Sequence, residues 1–390
     1  MWFIVKRIVG KIFLLCFSLF VSSILLFGLL ECFPSLIHPL HLDVLPYFQF
    51  RWSYVPDTNL IFRYKPNFKF VGQFVGDLYS PAYGISVPPQ RYEATFDSNG
   101  FRTDSLAHAD VVALGDSFLE FGLNESDTFS KRLEKRTGLR VSNLGLAWYG
   151  PYQYIHLLER YGIRQKPKYA LFCFFEGNDI DDIEEYLKWQ QGGAYHNWDQ
   201  FSKNFFQRYL IAIHQSVYYA RLRIYERKHS EEYPRKLVAL SLNGKVYESK
   251  FNYMNDGRSD AELLKTWDWI HLREILGKFK ELCVRNSIVP VVVFIPSKEH
   301  IYTQYSSQNS GINWLNIRDQ QIRSAPNREM AMIRLCEDLQ ITLVDLVPWF
   351  DSLAKKGNLL YYPFDTHWNS EGRESAAAYI AGKLVELNKK

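Results

Sequence analysis

The sequence predicts an α/β protein, a three-layer α/β/α sandwich around a central parallel sheet, preceded by one transmembrane helix. Short apolar runs alternate with longer amphipathic stretches, the pattern of parallel strands buried on both faces and joined by helices. A long uncharged segment stands near the N-terminus. Residues suited to chemistry directly follow two of the apolar runs, where ligand sites form at the rim of such sheets.

With 390 residues, 47% hydrophobic and 23% charged, the chain can bury a large core, which excludes a disordered tail, a collagen or a disulfide-stapled miniature. Forty-six Lys plus Arg against 42 Asp plus Glu leave +4, too weak a bias to call for a nucleic-acid partner. The five cysteines include no pair at metal or redox spacing, so neither a zinc knuckle nor a disulfide framework is implied.

From Ile12 to Leu30 there is no charge, and the stretch spans about 28 Å as a helix, close to a hydrocarbon core. Lys6, Arg7 and Lys11 precede it and Glu31 follows, which puts the N-terminus in the cytoplasm and the rest outside it, periplasmic or extracellular. A cleaved signal peptide shares these features, but the apolar run is long and no clean small-x-small site follows, so an uncleaved anchor is expected over residues 1–31.

Residues 32–109, rich in proline and aromatics, read as a stem and a small strand-rich lead-in, with a tight turn at Asn99-Gly100. Residues 110–390 form the expected catalytic domain. Its strands begin near Val111, Leu139, Tyr169, Ile288 and Ile341, and its helices cover Asp127 to Arg136, Tyr152 to Tyr161, Ala261 to Leu282, Pro326 to Leu339 and Glu371 to Leu387. The stretch at about 180–260 reads as an insertion, and no phosphate-binding glycine loop is present.

Three fragments carry the chemistry: Gly115-Asp116-Ser117 and Gly177-Asn178-Asp179, each after a strand, and Asp365-Thr366-His367 before the last helix. Ser117 is the candidate nucleophile, His367 the base that takes its proton, and Asp365 the partner of the other imidazole nitrogen. The Ser117 backbone N–H and the Asn178 side-chain amide are candidate donors to a tetrahedral oxyanion. Each fragment alone also has a bland reading, as a loop triplet or a helix cap, and their joint order favours the functional one.

GDSF at Gly115, NLGLAWYGPYQ at Asn143, EGNDIDD at Glu176 and FDTHWNSEG at Phe364 resemble the SGNH, or GDSL-type, hydrolase family from about Asp97 onward. The likeness is greatest to its membrane-anchored bacterial branch of esterases and sugar O-acetyltransferases. The resemblance implies a Ser-His-Asp set and an oxyanion held by the nucleophile's amide, a glycine amide and an asparagine. Where the family's NxGxxG would place that glycine, Trp148 stands. Its backbone N–H is the expected substitute donor, Gly145 the fallback, and its side chain would narrow the acyl pocket toward acetyl.

The expected function is serine-dependent hydrolysis of O-acyl, above all O-acetyl, groups on an envelope carbohydrate or glycolipid. The alternatives are an O-acetyltransferase acting on an exported polysaccharide, beside a membrane acyl-donor protein, and a non-catalytic glycan-binding scaffold. Trp189, Trp198, Trp314 and Trp368 could stack on sugars or simply pack. No cofactor and no metal is expected, because Asp179, Asp181, Asp182, Glu184 and Glu185 lack histidine neighbours in sequence and suit the start of a helix.

Overall fold

A computed structural model describes residues 2–40, 52–77, 87–104, 107–193, 195, 224, 237–252, 257–308 and 314–389. The first element is a helix, Trp2–Cys32. Its segment Lys6–Leu30 has mean hydropathy 2.6 and is long and apolar enough to cross a membrane. The end of this helix packs through Phe27 and Leu30 on Ile37 and Trp52.

The lead-in holds two antiparallel pairs, β1 (Tyr54–Asp57) with β2 (Ile61–Tyr64) and β3 (Lys69–Phe74) with β4 (Gln90–Thr95). Tyr64, Phe68 and Phe96 join their rings between the pairs, Tyr64 and Phe96 with centroids 3.7 Å apart. The turn expected at Asn99-Gly100 forms with Gly100 at φ +85°, where a Cβ would lie 2.1 Å from the Tyr64 carbonyl oxygen. Only glycine fits there. Just beyond it the buried Arg102 donates to the carbonyls of Glu93 (2.7 Å), Glu120 (2.9 Å) and Gly122 (2.8 Å). That guanidinium bolts the lead-in to the segment behind Ser117.

The five apolar runs become one parallel sheet: β5 (Val111–Leu114), β6 (Val141–Asn143), β7 (Tyr169–Phe175), β10 (Val289–Ile295) and β12 (Thr342–Asp345), in spatial order β12-β10-β7-β5-β6. A second, antiparallel sheet lies beside it, formed by β8 (Leu237–Leu242), β9 (Lys245–Lys250) and β11 (Ser306–Gln308).

Alternation along each central strand sends side chains to two cores. Val112, Leu114, Phe172, Phe174, Val292 and Phe294 face the helices Pro151–Leu157, Asp179–Gln190, Trp267–Arg285 and Trp314–Leu339. Val111, Ala113, Leu171, Cys173, Phe175, Val291 and Val293 face Phe129–Thr137, Val347–Lys355 and Ser370–Asn388. The result is the three-layer sandwich, with a candidate membrane helix in front.

Two helices differ from expectation. The span read as one helix from Ala261 to Leu282 is broken into Asp260–Leu263 and Trp267–Arg285, because Thr266 is extended and its hydroxyl donates back to the Leu263 carbonyl (2.6 Å). Pro326 suggested a first helical turn, but the helix begins at Trp314 and runs through it. Proline lacks a donor there, and the buried residues that follow, Ala331, Met332, Leu335 and Cys336, hold the helix on the sheet despite that loss. Trp189 and Trp368 are buried and pack in the two cores, which removes them as sugar-stacking rings. Trp198, the side chain of Trp314 and most of the insertion lie outside the described residues.

Candidate active site

Ser117 owes its position to the residue pair before it. A Cβ on Gly115 would meet Leu119 Cδ1 at 2.7 Å and Cys173 Cβ at 3.3 Å, so a residue without a side chain lets β5 turn directly into the short helix Ser117–Glu120. Asp116 caps that helix by accepting the Phe118 N–H at 2.9 Å. Burial pushes the Asp116 carboxyl up to about 7, against the pull of the Phe118 amide and His367 and with a further push from Asp182. Ser117 is half-buried, and its hydroxyl leans on Asp116 Oδ2 at 3.5 Å, the long limit for such a bond.

The histidine stands beside this turn, held by aromatic rings. Phe118 and Phe121 each lie 5.2 Å from the imidazole, Phe121 stacked at 23°. His367 Nδ1 donates to Asp365 Oδ1 at 2.7 Å, and the same oxygen accepts the His367 backbone N–H, also at 2.7 Å. With Nδ1 committed, Nε2 is the nitrogen left to take a proton, and it is buried with no hydrogen-bond partner among the described residues. Burial works against a charged imidazole, but Asp365, then Asp77 and Asp116, overcome it and lift His367 to about 9. Burial likewise opposes the Asp365 charge, and His367 and three donors outweigh it, taking Asp365 down to about 2.

The loop carrying this pair is fastened from two sides. Lys298, buried just after β10, donates to the carbonyls of Tyr362 (3.1 Å), Pro363 (2.9 Å) and Asp365 (3.0 Å), and burial holds its ammonium below the ordinary lysine pKa. From the lead-in, the Asp77 N–H donates to Asp365 Oδ2 at 2.7 Å, and the Asp77 carboxylate accepts the Thr366 N–H (2.9 Å) and hydroxyl.

The oxyanion candidates fare differently. Asn178 stands at the N-cap position of the helix Asp179–Gln190 without a side-chain capping bond, and its Nδ2 donates to Asp182 Oδ2 at 2.5 Å, which leaves its second amide hydrogen for a ligand. The Gly145 N–H is already donated to Asn143 Oδ1 (3.0 Å), and a Cβ there would meet Leu119 Cβ at 2.4 Å. Gly145 therefore serves the close packing of the loop, with its amide engaged by Asn143. Trp148 takes a left-handed backbone at φ 70° and is 45% exposed, a rim residue and not a plug in the core.

Asp179 and Asp182 are buried behind the nucleophile turn. Asp179 accepts from Tyr154 OH and Phe175 N–H, both at 3.0 Å, and burial, with Asp116 and Asp182 adding, raises its pKa well above the ordinary range. These acids hold strand and helix ends together. Among the described residues, donor atoms of Asp77, Asp365 and His367 lie within 4.8 Å of one another, and each of the three groups is hydrogen-bonded to another of them or to Thr366.

Four residues of the site had no signal in the sequence: Asp77, Arg102, Glu120 and Lys298. Glu120 is buried, accepts the Ala147 N–H at 2.6 Å and the Tyr64 hydroxyl at 3.0 Å, and so ties β2 to the loop around Trp148. Each is a single polar residue whose partners are remote in sequence, where local pattern carries no information.

A family model described as the SGNH hydrolase-like domain of the acetyltransferase AlgX matches residues 271–389, the part bearing Lys298, Asp365 and His367 but not Ser117. No curated protein matches the sequence. Similar solved structures include a GDSL-like lipase from Bacteroides thetaiotaomicron, 12% identical over 71% of this chain and 88% of that one, with a TM-score of 0.35. A lipase/acylhydrolase from Enterococcus faecalis is 10% identical over 71% of this chain and 95% of that one (TM-score 0.34). The psychrotrophic esterase EstA from a Pseudoalteromonas species is 10% identical over 72% and 98% (TM-score 0.33). At such values these are likenesses only. Residues 271–389 thus resemble an SGNH hydrolase-like domain, and they lie within the α/β domain whose parallel sheet carries the motif loops.

Proposed function

We propose that the protein is a serine-dependent enzyme acting on O-acyl, chiefly O-acetyl, esters of an envelope carbohydrate or glycolipid. The observation that carries this reading is the Asp365–His367 pair, bonded through Nδ1 at 2.7 Å, whose other nitrogen is left unbonded beside the Ser117 turn. Ser117 Oγ attacks the acyl carbonyl while His367 Nε2 takes its proton, and Asp365 stabilises the imidazolium. The Ser117 and Trp148 backbone amides and the Asn178 side chain hold the oxyanion. Collapse of the intermediate returns the proton to the departing alcohol and leaves an acyl-enzyme.

Water as the second nucleophile gives an esterase. A sugar hydroxyl in its place gives an O-acetyltransferase, a reading favoured by the acetyltransferase description of the matched family, and a membrane acyl-donor protein is the partner it would need. With Lys6, Arg7 and Lys11 ahead of the apolar helix, the catalytic body faces the periplasm or the exterior.

The test is release of acetate from small O-acetyl esters by the full chain in detergent, beside Ser117→Ala and His367→Ala. Turnover by the parent and loss in both folded variants is expected. Release no faster than the uncatalysed rate in all three would replace the enzyme with a glycan-binding scaffold. Acetylated donor with and without an oligosaccharide acceptor separates transfer from hydrolysis.

A further inference from the structure

The lead-in approaches the histidine loop more closely than packing alone requires. Gly76 has φ +103°, and a Cβ there would sit 2.3 Å from the Phe364 carbonyl oxygen, so the strap can lie on the loop only with glycine at that place. Among the described residues, Asp77 bonds to two loop residues, giving its N–H to Asp365 Oδ2 and accepting the Thr366 N–H and hydroxyl. Asp365 thus has one oxygen on the imidazole and the other on a backbone amide from outside the sheet. Phe74 brings the same strap against Phe121 (4.7 Å), which stacks on His367, and against Tyr362 (5.2 Å).

We propose that Asp77 is a positioning residue of the active site: the strap Gly76-Asp77 fixes the orientation of the Asp365 carboxylate and sets the proton affinity of His367 by its charge. The inference rests on the function proposed above. The charged and titratable groups facing His367 are Asp365 and Asp77 on the loop and strap, and Asp116 and Glu120 at the two ends of the nucleophile helix. Lys298 lies behind Asp365, and Arg373 of the last helix lies over Phe121. Of these, Asp77 is the exposed residue, while its carboxyl, tucked against the loop, is held above the ordinary carboxylate value by burial and then by Asp365.

The test uses the full chain in detergent with Asp77→Asn and Thr366→Val. In Asp77→Asn the acid limb of the pH–rate curve for a small acetyl ester is expected about one pH unit lower, because a carboxylate that favoured the imidazolium is gone. The maximal rate is expected to fall about tenfold as the loop loosens. Thr366→Val removes a hydroxyl donor but no charge, so its rate drops while the limb stays. Titration of the His367 ring followed by 15N NMR in histidine-labelled protein, assigned with His367→Gln, reads the same shift without turnover. Asp77→Ser, also uncharged, repeats the measurement should Asp77→Asn not fold.

Identical His367 titrations in parent and Asp77 variants would overturn the proposal. If Ser117→Ala retained full activity, the proposed function would fail instead, and the NMR shift would still decide the role of Asp77.

Discussion

His367 can act as a base only as the neutral ring, and its surroundings lift its pKa to about 9. At pH 7 about one molecule in a hundred then carries a neutral imidazole, and at pH 8 about one in ten. Because kcat/KM reports the groups of the free enzyme, it is expected to climb about tenfold per pH unit from weak acid upward and to level off near pH 9. Asp116, titrating at about 7, flattens the middle of that climb, since its ionisation strengthens the hold on the imidazolium. The assay is initial-rate hydrolysis of a small acetyl ester, corrected for hydroxide-driven loss.

The same group leaves a mark on stability of the opposite sign. A histidine whose pKa is raised from 6.5 to about 9 by folding contributes stability that is whole below 6.5 and lost as pH rises through 9. Activity and melting temperature should therefore move in opposite directions across this range. A rate curve already flat at neutral pH would refute the reasoning, because it would mean that Asp365, Asp77 and Asp116 do not act together on the ring.

Trp148→Gly should leave the melting temperature unchanged or higher, since glycine relieves a left-handed backbone worth about 1 kcal/mol. It should also raise the rate on butyryl relative to acetyl esters about tenfold, read from the ratio of kcat/KM values. Arg102→Met leaves the carbonyls of Glu93, Glu120 and Gly122 without their donor and should cost about 3–5 kcal/mol in denaturant titration. His300→Gln strips the buried Glu176 of its cation, at a cost of about 3–5 kcal/mol near neutrality. Burial opposes the Glu176 charge, and His300 outweighs it and holds the carboxyl below its usual 4.5; without His300 the loss should shrink in acid, where the carboxyl protonates.

The central sheet was legible because β5 and β7 are buried along their length and β10 from Val291 onward, and unbroken apolar runs carry that fact. Asp365 and His367 were legible because they are near neighbours in sequence and bond to each other. The Gly145 amide's partner, Asn143 Oδ1, was not legible because it depends on a rotamer. Lys298 was silent for a different reason: a lysine after a strand has the look of a surface residue, and the three carbonyls that bury it lie more than sixty positions onward. The break at Thr266 turns on one hydroxyl, weaker than the surrounding helical periodicity.

The end of the apolar helix seats itself on Trp52 through Phe27, Leu30 and Ile37, and Trp52 meets Phe68 edge-on at 5.6 Å. Among the described residues, the helix end and Trp52 touch directly. Wherever the helix crosses a bilayer, the body it carries is mounted like a lamp on a short bracket, sweeping a shallow layer next to the lipid. On the function proposed above, esters presented within that layer come within reach of the site, and those farther out do not.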